Sequence, residues 1–146
     1  MTENLVLRVK RLDANAVLPR YANPGDAGMD LYALGEYILY PGKTCLIRTG
    51  IKVEIPLGYE MQIRPRSGLA LKHNLTVLNT PGTIDSGYRG EVGVILINHG
   101  NVNYIVHNGE KVAQGIIGKV ESVLIEEVEE LSETKRGEGG FGSTGK

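Results

Sequence analysis

The sequence is poor in the residues that mark several large classes of protein. It has 146 residues with no tryptophan, one phenylalanine and one cysteine. A single cysteine, Cys45, excludes an intrachain disulfide, and its apolar surroundings in the sequence predict a small core residue. The net charge is −1, so the chain lacks the overall basic field that holds a nucleic-acid polymer. With no signal peptide and no apolar stretch long enough to cross a membrane, the cytoplasm is the expected location.

Short apolar segments with a period of two run through the chain and predict β-strands with one buried face. Residues 51–55 and 59–63 alternate strictly, whereas 92–97 are continuously apolar, as in a strand covered on both faces. Turns rich in glycine and proline separate the segments, and only residues 67–73 predict a helix. This spacing predicts one all-β domain, either a sandwich, a barrel or a jelly roll. The other predicted strands are 5–9, 102–106, 112–117 and 120–125.

Residues 136–146 form a glycine-rich tail that contains Phe141, the only phenylalanine. Glycine loses more backbone entropy on ordering than any other residue, so something outside the segment must order it. Successive glycine N–H groups, cations, hydroxyls and a flat apolar ring suit a ligand with a planar base and a phosphate chain. An acidic connector, 126–135, precedes the tail and is predicted to be a solvated linker, which leaves 1–125 as the folded domain. The charged and hydroxyl residues of the tail include Arg136, Ser143, Thr144 and Lys146.

Two polar segments in the first half of the chain are candidates for chemistry. Residues 26–31 predict a loop that enters a strand, where aspartates usually only cap turns. Residues 64–70 predict a helix start in which Arg66, the Ser67 hydroxyl and free N–H groups form an anion site. The alternative interpretation is a simple N-cap at Ser67 beside a surface arginine.

The second half carries the densest polar segment, residues 79–91, between two apolar segments. It predicts a long hairpin in which Asp85 is either a general base or a turn residue. Tyr88 is either part of a site or packed on the sheet. Further on, Gln114 stands inside an apolar strand, and a buried amide must find partners, either in a neighbouring strand or in a ligand.

In their order along the chain, residues 26–33, 66–70, 82–98, 109–117 and 136–144 resemble the five motifs of the trimeric dUTP diphosphatases, or dUTPases. The resemblance covers nearly the whole chain, and five ordered motifs are more specific than any one of them. It implies a jelly-roll domain of the β-clip type, assembled as a homotrimer with active sites at subunit interfaces. The implied reaction converts dUTP to dUMP and pyrophosphate, which limits uracil incorporation into DNA and supplies dUMP for dTMP synthesis.

The same resemblance implies roles for individual residues. Asp85 would activate the attacking water and contact the sugar 3′-OH, and Gln114 would contact phosphate and help to place that water. Mg²⁺ would be held by triphosphate oxygens, with Asp30 supporting it through bound water. Tyr88 would pack under the deoxyribose and exclude a 2′-OH, and residues 136–146 would close over the site as a lid.

The remaining implied contacts are with the substrate. Arg136 would bind the γ-phosphate and Phe141 would cover the uracil. Asn79 and main-chain groups of the hairpin would read the edge of the base. The substrate contacts implied in addition to these are Arg66, Ser67, Gly68, Gly82, Ile84, Gly142, Ser143 and Thr144.

Two positions depart from the family pattern, and two alternative functions follow from the same fold. Gly87 replaces a common acidic residue, and Gly115 replaces a larger apolar one, which suggests close packing near the trimer axis.

The related dCTP deaminases carry a catalytic glutamate where alignment places Ile95, a tryptophan at Tyr88 and a second serine at Gly68. A dUTP-sensing interaction module is the other alternative, although the retained catalytic residues and tail favour an enzyme.

Overall fold

The computed structural model describes residues 4–145, in which β-strands dominate and one short helix occurs. The helix, α1, spans Ser67–His73 as the sequence predicts. Among these residues, no helix is long and apolar enough to span a membrane. The strands are β1 Arg8–Arg11, β2 Met29–Tyr32, β3 Tyr37–Leu39, β4 Thr44–Glu54, β5 Tyr59–Arg64, β6 Leu75–Val77, β7 Gly82–Ile84, β8 Glu91–Asn98, β9 Tyr104–Val106 and β10 Lys111–Lys119.

The strands form two four-stranded sheets and a two-stranded ribbon. The first sheet has the order β1-β4-β8-β6, the second has the order β2-β10-β5-β7, and β3 pairs with β9. Every named pair is antiparallel. Buried residues of both larger sheets join one hydrophobic core, for example Val92 from β8 and Met61 from β5. The result is the predicted all-β, jelly-roll-like domain.

The alternation in the sequence explains which face each strand buries. In β5, Met61 and Ile63 are buried, whereas Gln62 between them is half-exposed. In β8, one face is buried and the other, which includes Ile95, is only partly covered, so the prediction of a strand covered on both faces is wrong for a single chain. Cys45 is half-buried against the core, consistent with its apolar role.

Two predicted strands at the ends of the domain differ in the structure. β1 begins at Arg8 and not at residue 5, and Leu5 is exposed. No strand covers 120–125; Val120 donates its N–H to the Gly58 carbonyl at 2.8 Å, and Leu124 beyond it is fully exposed. Apolar residues form a strand only where an edge is available to pair with, and within residues 4–145 this segment has no such edge.

Gly115 of β10 lies in the core of its own chain. A Cβ there would stand 2.7 Å from the Met61 sulphur, closer than real side chains approach. Close contact with β5 inside the domain accounts for this glycine in a single chain, and packing near a trimer axis stays a prediction.

Candidate active site

One row of residues across the second sheet brings distant parts of the chain together. Gln114 of β10 lies opposite Asp30 of β2 on one side and opposite Arg64 of β5 on the other. Directly opposed residues in a sheet point to the same face. The row therefore brings together the polar segments 26–31 and 64–70 and the amide of Gln114 at one place in the sheet.

A polar cavity of about 370 Å³ opens at this row. It contains two cationic side chains, two carboxylates, a hydroxyl and an amide, a composition suited to phosphate groups. Of the predicted substrate and metal residues, it brings together Asp30, Arg66, Ser67, Gly68 and Gln114. Its full lining is Ala22, Asp26, Ala27, Gly28, Asp30, Arg66, Ser67, Gly68, Lys111 and Gln114.

The side-chain amide of Gln114 has a fixed orientation. Its Nε2 donates to the Pro65 carbonyl at 3.0 Å, which directs Oε1 towards Gly28. A Cβ on Gly28 would overlap Oε1 and press on the Gln114 side chain. The absence of a side chain at Gly28 therefore creates the space in which the amide is held.

Helix α1 leaves its first turn uncapped by any side chain. The N-cap residue is Arg66 in an extended conformation, without a side-chain capping bond. Ser67 is the first helical residue and not the cap, so the simple capping interpretation of Ser67 is wrong. Its exposed hydroxyl and that first turn face the polar cavity, where Gly68 also lies.

Asp30 lies between two cations at the cavity wall. Its Oδ2 is 3.3 Å from the Lys111 ammonium, and its Oδ1 is 3.9 Å from Nε of Arg66. The carboxylate side chain is mostly buried, with 14% of its surface exposed. Within residues 4–145, no group of three or more histidine, cysteine, aspartate or glutamate side chains could hold a metal ion. The donor set fits a metal ion carried by the substrate, supported by Asp30, and not a dedicated protein cage.

The turn before β10 is held by Glu110. One carboxylate oxygen accepts from the His107 N–H at 3.0 Å and the other pairs with the Tyr104 hydroxyl. Burial and this carboxylate raise the pKa of Tyr104 to about 12, so the hydroxyl keeps its proton and donates to Glu110 even in moderately alkaline solution. Glu110 is thereby engaged away from the polar cavity, and its neighbour Lys111 faces Asp30 instead.

A second, smaller cavity of about 190 Å³ forms at the hairpin. It contains the exposed Asp85, the buried Ile84 and the Tyr88 ring. The Tyr88 hydroxyl donates to the Glu91 carbonyl at 2.9 Å, and a Cβ on Gly90 would overlap the ring. The ring is therefore fixed by its own hairpin. The full lining of this smaller cavity is Thr83, Ile84, Asp85, Tyr88, Glu91, Val92 and Gly93.

Glu91 ties this hairpin to the neighbouring strand. Its carboxylate accepts from Nε of Arg48 at 3.2 Å and from the Gly50 N–H at 3.0 Å. These bonds span the place between Arg48 and Lys52 where the pairing of β4 with β8 changes register. At the start of the hairpin, the exposed Asn79 places its side-chain amide beside the buried Gly82, the first residue of β7.

The tail lies apart from both cavities and is held only by local bonds among the described residues. Nε of Arg136 donates to the Gly139 carbonyl at 2.9 Å, and further turns close between Gly140 and Ser143. Phe141 is fully exposed, in a left-handed conformation with φ 52°. The predicted lid residues Gly142, Ser143 and Thr144 lie beside it and are exposed, and Lys146 lies outside the described residues.

Comparison with known proteins identifies the family. Residues 14–145 match the dUTPase family model. This chain belongs to the dUTPase family. It is 60% identical to the deoxyuridine 5′-triphosphate nucleotidohydrolase of Clostridium tetani over 146 residues, with 100% of both chains covered. It is 58% identical to that of Clostridioides difficile over 139 residues, covering 95% of this chain and 97% of the relative.

Solved dUTPase structures share the fold. The dUTPase of Staphylococcus bacteriophage 80alpha with dUpNHpp has a TM-score of 0.90 and 30% identity, covering 96% of this chain and 98% of that one. A dUTPase from phage phi11 of S. aureus, described as coordinating a structural Mg(II) ion, has a TM-score of 0.81 and 27% identity. That comparison covers 86% of this chain and 97% of the phage chain.

The structure also bears on the deaminase alternative. Ile95, at the position of the deaminase glutamate, is a half-buried apolar residue on β8. Nearby Asn98 is fully buried and donates to the carbonyls of Leu39 and Val102 at 3.0 and 2.8 Å. Its amide is fully used in holding the core, and the third motif supplies no deaminase carboxylate at Ile95.

Sequence reasoning missed four residues that shape these cavities. The sequence alone assigns no role to Lys111, Glu91, Gly28 or Gly90. A charged residue at the first position of an apolar strand is a usable signal for Lys111, whereas the two glycines are recognised only from the close approach of Gln114 and Tyr88.

We expect Gly28→Ala to impair catalysis without unfolding the domain. The new methyl group displaces the Gln114 amide and breaks its bond to Pro65, and a misplaced catalytic group costs on the order of 100-fold in rate. Steady-state kinetics with dUTP and a thermal melt measure the two effects. Gly118→Ala on the same strand is the matched control, since a Cβ there meets nothing within 4 Å. Equal activity of both variants would contradict the role given to Gly28.

Proposed function

We propose that this chain hydrolyses dUTP to dUMP and pyrophosphate by attack of water on the α-phosphorus. The observation that carries the proposal is the pair of cavities, one suited to phosphates and one built around Asp85 and Tyr88. Family membership supports the same substrate. Water supplies the oxygen, the bond between the α-phosphorus and the bridging oxygen breaks, and pyrophosphate leaves.

The active site is completed between subunits. On β5, Arg64 pairs with Gln114, whereas Met61, three residues away, pairs with Ile84 beside Asp85. Ile84 and Gln114 of one chain are therefore separated by about 10 Å along the strands and about 10 Å across them, and Asp85 lies one residue further away. Two groups that place one water must both lie within hydrogen-bond reach of it. Asp85 of one chain thus works with Gln114 of another.

A homotrimer accounts for this separation and for the exposed apolar surface. Leu46 on β4 is paired with Ile95 on β8, and both present apolar side chains on the outer face of the sheet. The segment 120–125 adds four exposed apolar residues, and Leu131 lies beyond it. Burial of such surface in a partner is worth about 25 cal/mol per Å². Each chain then contributes to more than one of three sites.

The nucleoside binds at the hairpin. Tyr88 packs under the deoxyribose, and because its ring is fixed by Gly90 and the Glu91 carbonyl, it excludes a 2′-OH without rearrangement. Asn79 and main-chain groups at Gly82 and Ile84 read the edge of the uracil. The hairpin thus supplies selectivity for base and sugar.

The triphosphate binds at the polar cavity. Arg66, Ser67 and Gly68 hold phosphate oxygens with the uncapped first turn of α1, and Gln114 contacts the phosphate beside the attacking water. Asp85 accepts the proton of that water and contacts the sugar 3′-OH, which places the water against the α-phosphorus. Positive charge from Arg66 stabilises the departing pyrophosphate.

The polar cavity at Asp30 fits Mg²⁺ that is bound to the triphosphate. When bound, it neutralises negative charge on the triphosphate oxygens. Asp30 would hold the hydrated ion through bound water, and residues 4–145 offer no group of three or more ligands for it. This division suits a cation that gives up its water reluctantly.

Residues 136–146 close as a lid over a site, most of whose groups belong to other chains. Arg136 binds the γ-phosphate, Phe141 covers the uracil, and Gly142, Ser143 and Thr144 contact phosphates. The connector 126–135 is a solvated spacer whose ten residues span at most about 35 Å when extended. Exposure of Phe141 in the isolated chain is consistent with a ring that packs only on a bound base.

Pyrophosphate release from four nucleotides tests the proposal directly. We expect turnover of dUTP and little from dCTP, dTTP or UTP, because the hairpin excludes a 5-methyl group and a 2′-OH. Ammonia released from dCTP, without pyrophosphate, would instead identify a deaminase.

We expect Asp85→Asn to abolish turnover while binding of dUpNHpp is retained. The amide keeps the shape but cannot accept the proton, and loss of a general base costs on the order of 100- to 10,000-fold. Pyrophosphate release and calorimetric titration measure the two effects, with Asp13→Asn in an exposed turn as control. Near-normal turnover would refute Asp85 as the base.

We expect a chain that ends at residue 135 to assemble normally and turn over dUTP roughly 100-fold more slowly, because the phosphates are left imperfectly positioned. Light scattering measures the assembly and pyrophosphate release measures the rate. Glu138→Ala, which keeps the tail, is the control. Full activity of the truncated chain would remove the lid from the mechanism.

A further inference from the structure

We propose that Lys111 is a substrate-binding residue that holds the leaving pyrophosphate portion of the nucleotide, and that Asp30 keeps its ammonium in position before the nucleotide binds. The inference rests on the phosphate site proposed above and adds to it a cation that none of the predicted contacts includes. Three observations carry it: the bulge in β10, the shared cavity, and the balance of charge around Asp30.

The bulge places Lys111 on the face of the sheet that binds substrate. Side chains alternate along a strand, so residues three apart, such as Lys111 and Gln114, normally point to opposite faces. The pairing of β10 with β2 shifts between Lys111 and Ala113, so Lys111 lies opposite Tyr32 while Gln114 lies opposite Asp30. An extra residue at this point returns Lys111 to the face of Gln114.

Lys111 and the proposed phosphate residues line one cavity. The Arg66 guanidinium donates through Nη1 to the Lys111 carbonyl at 3.4 Å, so the two cationic residues are also linked through the main chain. The Lys111 side chain is 38% exposed, which leaves its ammonium accessible to a ligand while its stem is packed.

The charges around Asp30 favour a polyanion. Around Asp30 itself two cations share one carboxylate, because both the Lys111 ammonium and the Arg66 guanidinium face it, whereas Asp26 balances the total charge from another part of the cavity wall. Asp26, the other carboxylate of the cavity, accepts from the Asn23 N–H at 2.9 Å. A lysine ammonium has three donors, and among residues 4–145 Asp30 is the one carboxylate within 4.0 Å of it. The other donors are available to phosphate oxygens.

The position of Lys111 gives it a role in the chemical step as well as in binding. Negative charge moves to the bridging oxygen and the pyrophosphate as the bond to the α-phosphorus breaks. A cation already held in place by Asp30 stabilises that charge without reorganisation. The competing interpretation is that Lys111 only neutralises the mostly buried Asp30 and never meets the substrate.

Binding of two nucleotides separates these interpretations. Calorimetric titration compares dUpNHpp, which keeps the pyrophosphate portion, with dUMP, which lacks it, on Lys111→Met, Lys111→Arg and Lys119→Met. We expect Lys111→Met to weaken dUpNHpp by roughly 10- to 100-fold, the size of a lost hydrogen bond to a charged group, and to leave dUMP nearly unchanged. Lys111→Arg should restore most of the affinity, and Lys119→Met on the exposed end of β10 should match the parent chain.

Equal weakening of both ligands, or of neither, would overturn the inference. Arg66→Met separates this failure from a failure of the phosphate site itself: if it too leaves dUpNHpp unchanged, the triphosphate does not bind in this cavity. If Lys111→Met lowers the melting temperature, the Asp30→Asn background removes the unpaired carboxylate. The test is then repeated by comparing Asp30→Asn with Asp30→Asn/Lys111→Met. If the ratio of the affinity for dUpNHpp to the affinity for dUMP is the same in these two variants, the inference is also overturned.

Discussion

The register that β10 keeps with β2 and β5 is the constraint on which the polar cavity depends. Gln114 lies opposite Asp30 on one side and Arg64 on the other, and this row joins segments distant in sequence. A slip of one residue would turn every side chain of β10 to the other face. Val112 and Ala113 are fully buried beside Gln114, so burial of apolar side chains in the core fixes the geometry of the polar site.

Much of the fold follows from the sequence, because the alternation of apolar and polar residues shows which face of a strand is buried. The helix at Ser67–His73 and the buried face of β5 are both predicted correctly. The cavity residues are predicted as a set, although the resemblance and not periodicity supplies them. The bulge that turns Lys111 towards Asp30 is invisible in a pattern of apolar residues, because it depends on pairing with a distant strand. The segment 120–125 is misjudged for the same reason, since its propensity is that of a strand and its pairing edge is missing.

The two halves of the proposed site differ in how they are held. The hairpin fixes Tyr88 through a hydroxyl bond and a glycine neighbour, entirely within one local segment. The phosphate cavity instead depends on long-range pairing and on charge balance at Asp30. The selectivity for the sugar that we propose would thus be built locally and be present in each chain. In the proposed mechanism the reacting groups meet only when chains associate, which would couple catalysis to assembly.

The close approach of Gln114 to Gly28 sets a limit on how stable this domain can become. Gly28 has an ordinary backbone conformation, where alanine normally adds about 0.4–1 kcal/mol by restricting the unfolded chain. The domain forgoes that gain to keep the amide in place. Alanine brings that gain only where it fits without strain, and at Gly28 its methyl group would displace the Gln114 side chain and break its bond to Pro65, so the space that the amide needs also keeps this part of the unfolded chain more flexible.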